Sequence, residues 1–198
     1  MRTGKKVWRS TGLALCAFAG TAFAAGPGPL KAPLLSFTDT KPSRIVWIVP
    51  GVIKRENMST DFLCTNLDAV AADIGVEVFD FDGTQLNKID NSMPISGSTC
   101  QTGAIVGVDP GHTVTIGLAG TAELHEDCKI GLGAVAQGSA RIVSTSNRIA
   151  CDAIALDQKH LVVDPATCSP TGSGSTLCQP PPSMTSLKVI KAKKQSGD

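Results

Sequence analysis

Asp80 and Asp82 stand two positions apart at the end of the apolar run Gly75 to Phe79, with Gly83-Thr84 following. A carboxylate pair of this kind can open a calcium loop, but calcium takes roughly six to eight oxygen ligands at spaced positions, and the next acidic residue is Asp90. The same stretch reads as a hairpin. Asp82-Gly83 supplies the positive φ angles of a tight two-residue turn between candidate strands Val76 to Phe81 and Thr84 to Ile89. His125-Glu126-Asp127 offers three potential metal ligands in succession, yet neighbours on a strand point to opposite faces and converge only at a turn, so a surface loop is expected. His112 follows Pro110-Gly111 and His160 follows Lys159, both turn contexts with no nucleophile or carboxylate at triad spacing. The glycine pairs Gly117 with Gly120 and Gly131 with Gly133 lack the strand-to-helix setting of a phosphate loop and read as bulges and bends.

Val78-Phe79-Asp80-Phe81-Asp82-Gly83-Thr84 resembles the first motif of the haloacid dehalogenase-like phosphohydrolases, in which an apolar strand ends in D-x-D-G-T. That resemblance implies Asp80 as nucleophile, Asp82 as general acid and base, and Mg²⁺ as cofactor. It covers seven residues. The family also needs a parallel sheet with a helix directly after the motif, whereas Gln85 to Pro94 is polar and turn-rich and no strand–helix alternation follows. Glu126-Asp127 is the only later acidic pair at hand, without an apolar strand before it. The expectation is therefore a non-enzymatic chain with no cofactor, with the Mg²⁺-dependent phosphohydrolase as the alternative.

The remaining reactive groups are cysteines, and their state depends on compartment. Arg2, Lys5, Lys6 and Arg9 precede an apolar stretch from Leu13 to Ala22, and Ala22-Phe23-Ala24 forms a small-x-small cleavage pattern, so residues 1–24 read as a signal peptide. The apolar run is about half of the roughly 20 residues a membrane span requires. Secretion or periplasmic location follows, with no membrane span after cleavage. Cys16 departs with the leader, leaving Cys64, Cys100, Cys128, Cys151, Cys168 and Cys178. An oxidising compartment favours disulfides, each limiting the unfolded chain by about 2–4 kcal/mol. No C-x-x-C is present, as paired metal ligands would require. Spacing does not choose among connectivities; the pairing expected is Cys64 with Cys151, Cys100 with Cys128, and Cys168 with Cys178.

Cleavage leaves 174 of the 198 residues, enough for one domain with a real core, and shifts the formal net charge from +1 to −3. Four of the remaining cations, Lys188, Lys191, Lys193 and Lys194, lie in the last eleven residues, so the body has no basic face suited to nucleic acid. Residues 25–43 carry Pro27, Pro29, Pro33 and Pro42 and read as an extended arm, a segment through which copies of the chain can self-associate. Residues 44–163 are short apolar stretches punctuated by Gly, Pro, Asn and Asp. In Thr113 to Leu118 the apolar residues recur at every second position, placing Val114, Ile116 and Leu118 on one face, while Val76 and Val78 oppose Glu77 and Phe79. Ser144 to Arg148 reads as the turn of a hairpin, and alanine-rich Leu67 to Asp73 as one possible turn of helix. Residues 164–198 form a Pro/Ser/Gly-rich loop and basic tail, in which Leu187 to Lys191 can add an edge strand blunted by its lysines.

The fold expected is an all-β, antiparallel, disulfide-stapled sandwich of about seven to nine strands. Val108-Asp109-Pro110-Gly111-His112-Thr113-Val114-Thr115-Ile116 resembles the turn and strand of bacterial immunoglobulin-like and fibronectin type III-like domains, and Gly75 to Asp80 with Gly83 to Leu86 is similar to the hairpin before it. The resemblance implies an immunoglobulin-like sandwich with a role in protein–protein binding, adhesion, or envelope or extracellular structure. Cys64 and Cys151, each in a strand-like run, would bridge the two sheets, without the antibody-type tryptophan between them.

Overall fold

The computed structural model describes residues 25–34, 36–37, 42–89, 102–118, 125–157 and 183–192. Ten strands follow one helical turn, α1 (Gly28–Lys31): β1 (Arg44–Lys54), β2 (Met58–Asn66), β3 (Ala72–Phe79), β4 (Ala104–Val108), β5 (Thr113–Gly117), β6 (Cys128–Lys129), β7 (Val135–Ser144), β8 (Ile149–Asp157), β9 (Ser183–Leu187) and β10 (Ile190–Lys191). They form two five-stranded sheets, ordered β10-β1-β7-β3-β4 and β6-β5-β2-β8-β9. Every pairing is antiparallel except the two-residue contact of β5 with β6. The all-β sandwich is thus the architecture. No helix among the described residues is long and apolar enough to cross a membrane.

Alternation builds the core. Val76 and Val78 of β3 face inward with Phe62 and Cys64 of β2, Ile116 of β5, Ile142 of β7 and Ala153 of β8, all buried between the sheets. Val114 and Leu118 share that side with Ile116, as the period of two requires. Trp47 of β1 packs against this core and donates its indole N–H to the Ile149 carbonyl at 2.9 Å, tying one sheet to the other. Several connections are arches between sheets. β7 and β8 do not pair with each other, so Ser144 to Arg148 crosses from one sheet to the other instead of closing a hairpin.

Local rules broke at three places. β1 continues through Pro50 and Gly51, residues that ordinarily end a strand, because its register against β7 shifts there and Gly51 takes φ 81°. Thr84 to Ile89, expected as a strand, makes only the single bridge Phe79 to Gln85. The Asn87 side chain takes over: it accepts from Val78 N–H at 2.7 Å and donates to the Val76 and Thr102 carbonyls at 2.8 and 2.9 Å. Leu67 to Ala71 is a loop and β3 begins at Ala72, so no helical turn forms there.

Cys64 and Cys151 are bonded, as expected from the sequence. Their geometry corrects the expected role. They face each other on adjacent strands β2 and β8 of one sheet, with Cα atoms 4.2 Å apart, so the bond staples neighbours within a sheet and does not bridge the two sheets. Cys128 is disulfide-bonded as well. Cys100, Cys168 and Cys178 lie outside the described residues.

Candidate functional site

Asp80 and Asp82 sit at the tip where β3 ends. Gly83 N–H donates to the Asp80 carbonyl at 3.0 Å and Asp80 N–H to the Thr84 carbonyl at 2.8 Å, with Gly83 at φ 83°. This is a three-residue loop, Phe81-Asp82-Gly83, one longer than the two-residue turn expected, with glycine at the position that demands a left-handed backbone. Both carboxylates serve the turn: Asp80 Oδ1 accepts from Phe81 N–H and Asp82 Oδ1 from Thr84 N–H, each at 2.8 Å. The bond from Thr84 holds the Asp82 carboxyl below its usual range. β3 is antiparallel to both its neighbours, so the motif lacks the parallel strand and following helix of the phosphohydrolases it resembles.

The tip has another occupant, the N-terminal arm. Gly26 N–H donates to the Asp82 carbonyl at 2.7 Å and Gly28 N–H to the Gly83 carbonyl at 3.0 Å, and the backbones approach so closely that a Cβ at Gly26 would collide with Gly83. The arm, expected to be extended throughout, makes one helical turn over Gly28–Lys31, which tolerates Pro29 because it falls in the first turn where no intrahelical N–H is needed. Arg141 of β7 holds this turn from beneath. Its guanidinium donates to the carbonyls of Pro29, Ala32 and Pro33 at 3.1, 2.7 and 2.7 Å, its Nε to Glu77 of β3 at 2.5 Å, and it stacks over the Phe79 ring at 5.3 Å. Arg141 and Glu77 are both fully buried. Gln85 donates to the other Glu77 oxygen at 2.7 Å, completing the carboxylate's partners. Beyond it, Phe37 packs with Ile89, Ala104 and Val143 in a second small core on the outer face of this sheet. Gly75 leaves room for that ring, since a Cβ there would press on Phe37 and Ile89.

A different set of loops meets at one end of the sandwich. Asn66, fully buried at the end of β2, is their hub. Its N–H donates to the His112 carbonyl and its carbonyl accepts from Gly111, while its side chain donates to the Val70 and Val108 carbonyls at 2.9 and 2.8 Å and accepts from Asp68 N–H at 2.9 Å. Ser146 joins the β7–β8 arch to the cluster by donating to Asp68 Oδ2 at 2.5 Å. That bond, reinforced by Ala69 N–H and the charge of Arg148, lowers the Asp68 pKa. On these fixed loops Leu67 and Val70 remain 54% and 64% exposed, beside exposed Pro110, His112 and Arg148.

No family model, curated protein or solved structure matches this chain. His125-Glu126-Asp127 runs as a loop into β6. His125 Nε2 comes within 3.5 Å of Asp127 Oδ1, while Asp127 Oδ2 accepts from Thr115 N–H. Glu126 turns the other way, over Gly117 and toward Asp61. Among the described residues, no three His, Cys, Asp or Glu side chains gather as metal ligands. Burial lowers the Lys54 pKa, nearby Lys129 adds to the shift, and its ammonium donates to the Leu132 carbonyl. His160, Gly120 and Asp90 lie outside the described residues.

Arg141, Glu77 and Asn66 belong to no sequence motif. Glu77 carried a partial signal, since its parity put it opposite the core with Phe79. For Arg141 the parity was equally readable, but an arginine on an outer face is ordinarily solvated.

Proposed function

We propose that this chain is an exported, non-enzymatic β-sandwich that acts by binding another protein through the loop end of Leu67 to Ala71, Asp109 to His112 and Thr145 to Arg148. One observation carries the reading: two large aliphatic side chains, Leu67 and Val70, are held in solvent on loops that Asn66 and Asp68 fix by hydrogen bonds. Exposed apolar groups on a pre-organised loop cluster suit recognition, because little ordering entropy remains to be lost on binding. Export is supported by the basic and apolar pattern of residues 1–24 and by the Cys64–Cys151 bond. The likeness to immunoglobulin-like domains over Gly75 to Ile116 agrees with such a role.

A photo-crosslinking amino acid placed at Leu67 should capture a discrete partner in the exporting cell, and the same group at exposed Asp152 should not. Adding Val70→Asp should abolish the adduct while the melting temperature stays within a few degrees. No adduct from position 67, or equal yields from both positions, overturns the binding reading. Mg²⁺-dependent phosphatase turnover that disappears in Asp80→Asn would replace it with the phosphohydrolase. Intact mass of the exported species tests the leader separately: a chain lacking residues 1–24 and six protons indicates cleavage and three disulfides.

A further inference from the structure

Among the described strands, three of the four outer sheet edges carry devices that discourage pairing. β10 and β6 are two residues long and contain Lys191 and Lys129. β4 is interrupted at Gly107, which adopts φ 69° and turns its N–H to the Asp73 carboxylate at 2.8 Å. β9 differs. Its five residues, Ser183-Met184-Thr185-Ser186-Leu187, include no charge, proline or glycine, and Met184 is 50% exposed.

The ladder fixes which main-chain groups of β9 face outward. Cys64 and Cys151 are opposed at a Cα separation of 4.2 Å, the close spacing of an antiparallel pair that does not exchange main-chain hydrogen bonds. Cys151 therefore turns its N–H and C=O away from β2, and by alternation so do Ala153, Ala155 and Asp157. The same parity on the far side of β2 makes Thr115 and Gly117 of β5 face outward. There Thr115 N–H donates to Asp127, while the Thr115 and Gly117 carbonyls accept from Asp127 and Ile130. On β9 the partners of Ala153, Ala155 and Asp157 are Leu187, Thr185 and Ser183, which bond inward to β8. Met184 and Ser186 consequently present both N–H groups and both carbonyls to the open edge, and among the described residues nothing bonds to them.

The geometry points to this edge as a self-association surface: β9 pairs antiparallel with β9 of a second copy, about a twofold axis at Thr185. Met184 then lies opposite the second copy's Ser186 and exchanges two hydrogen bonds with it, and symmetry doubles this to four. The identical strands meet without like-charge repulsion because none of the five residues is charged. The two Thr185 side chains become a close cross-strand pair, Met184 is partly covered by its neighbours across the seam, and the β6-β5-β2-β8-β9 sheet continues across the dimer. A twofold contact is closed, which limits assembly at this edge to a pair. The surface is separate from the loop end and does not depend on it.

Sedimentation equilibrium of the mature full chain over a concentration series should show reversible monomer–dimer exchange. Met184→Lys with Ser186→Lys sets lysine opposite lysine twice and should weaken the dimer about tenfold or more, while Met184→Glu with Ser186→Lys sets opposite charges face to face and should restore it. Circular dichroism and the melting temperature confirm that each variant is folded, as expected for side chains and N–H groups that β8 does not use. A wild-type chain that stays monomeric throughout, or a dimer equally strong in the lysine pair, overturns the proposal. So does failure of the Glu/Lys combination to recover what the lysine pair lost.

Discussion

Arg141→Met should destabilise the protein by about 3–5 kcal/mol, the range for removing one partner of a buried ion pair and leaving the other charge uncompensated. Arg141 and Glu77 are both fully buried, so water cannot replace the lost guanidinium without opening the structure. For a domain of this size each kcal/mol lowers the melting temperature by about 2–4 °C, giving a fall of about 6–20 °C. The arm provides a second and more specific readout. Arg141 donates to the Pro29, Ala32 and Pro33 carbonyls, whereas the Glu77 carboxylate accepts from Arg141 and Gln85 and makes no hydrogen bond to the arm among the described residues. Amide exchange at Gly26 and Gly28 should therefore rise sharply relative to the β-strand core in Arg141→Met, yet track the core in Glu77→Gln. Removing both charges with Glu77→Leu and Arg141→Met should recover much of the loss. Of the three carbonyls left without a donor, only that of Ala32 belongs to a buried residue, at about 1–3 kcal/mol; Pro29 and Pro33 can return to water. Urea melts of wild type, Arg141→Met, Glu77→Leu and the double variant close the cycle, with exchange measured by NMR. An Arg141→Met chain that melts within about 2 °C of wild type, or retains arm protection, refutes the view that this ion pair anchors the N-terminus.

Gly26→Ala should detach the same arm from the other end, because the new Cβ runs into Gly83; loss of Gly26 and Gly28 amide protection is the measurement, and unchanged protection contradicts the close packing. Glu56, the one described non-glycine residue at positive φ, sits at 47° in the turn between β1 and β2, so Glu56→Gly should raise stability by about 0.5–1 kcal/mol in a urea melt. The Asp68 carboxyl is lowered chiefly by the Ser146 hydroxyl, so its contribution is present above the unfolded carboxylate value near 3.9 and is lost as pH falls through the lower folded value. Ser146→Ala should flatten the melting-temperature profile below about pH 4, and an unaltered slope counts against the bond. Replacing Cys64 and Cys151 by serine frees a loop of sequence separation 87 and should cost about 2–5 kcal/mol without altering the β2–β8 register, as judged by unchanged cross-strand contacts in NMR.

How far the sequence foretold these features depends on whether a residue's partner is local. Val76, Val78, Val114 and Ile116 announce their inward face by alternation alone, since the pleat has a period of two whatever lies across the core. Thr84 to Ile89 fits a strand pattern as well, but a side-chain amide three residues along from Thr84 satisfies the backbone of β3, and no local propensity distinguishes Asn87 used that way from Asn87 in a turn. The disulfide shows the same limit in sharper form. Parity places Cys64 and Cys151 facing the core, and a core-facing cysteine can bond across the sheets or to the adjacent strand; only the neighbour relation of β2 and β8 decides, and that is long-range. Arg141 lies furthest from prediction, because its burial is created by the arm, some 110 residues earlier in the chain. What the D-x-D-G-T stretch does here follows from that dependence. The Asp80 and Asp82 carboxylates each accept a backbone N–H of the turn, the turn's carbonyls receive Gly26 and Gly28, and the arm so placed covers Arg141 and Glu77. The arm's attachment therefore joins the turn to the ion pair, and perturbing either end should be felt at the other.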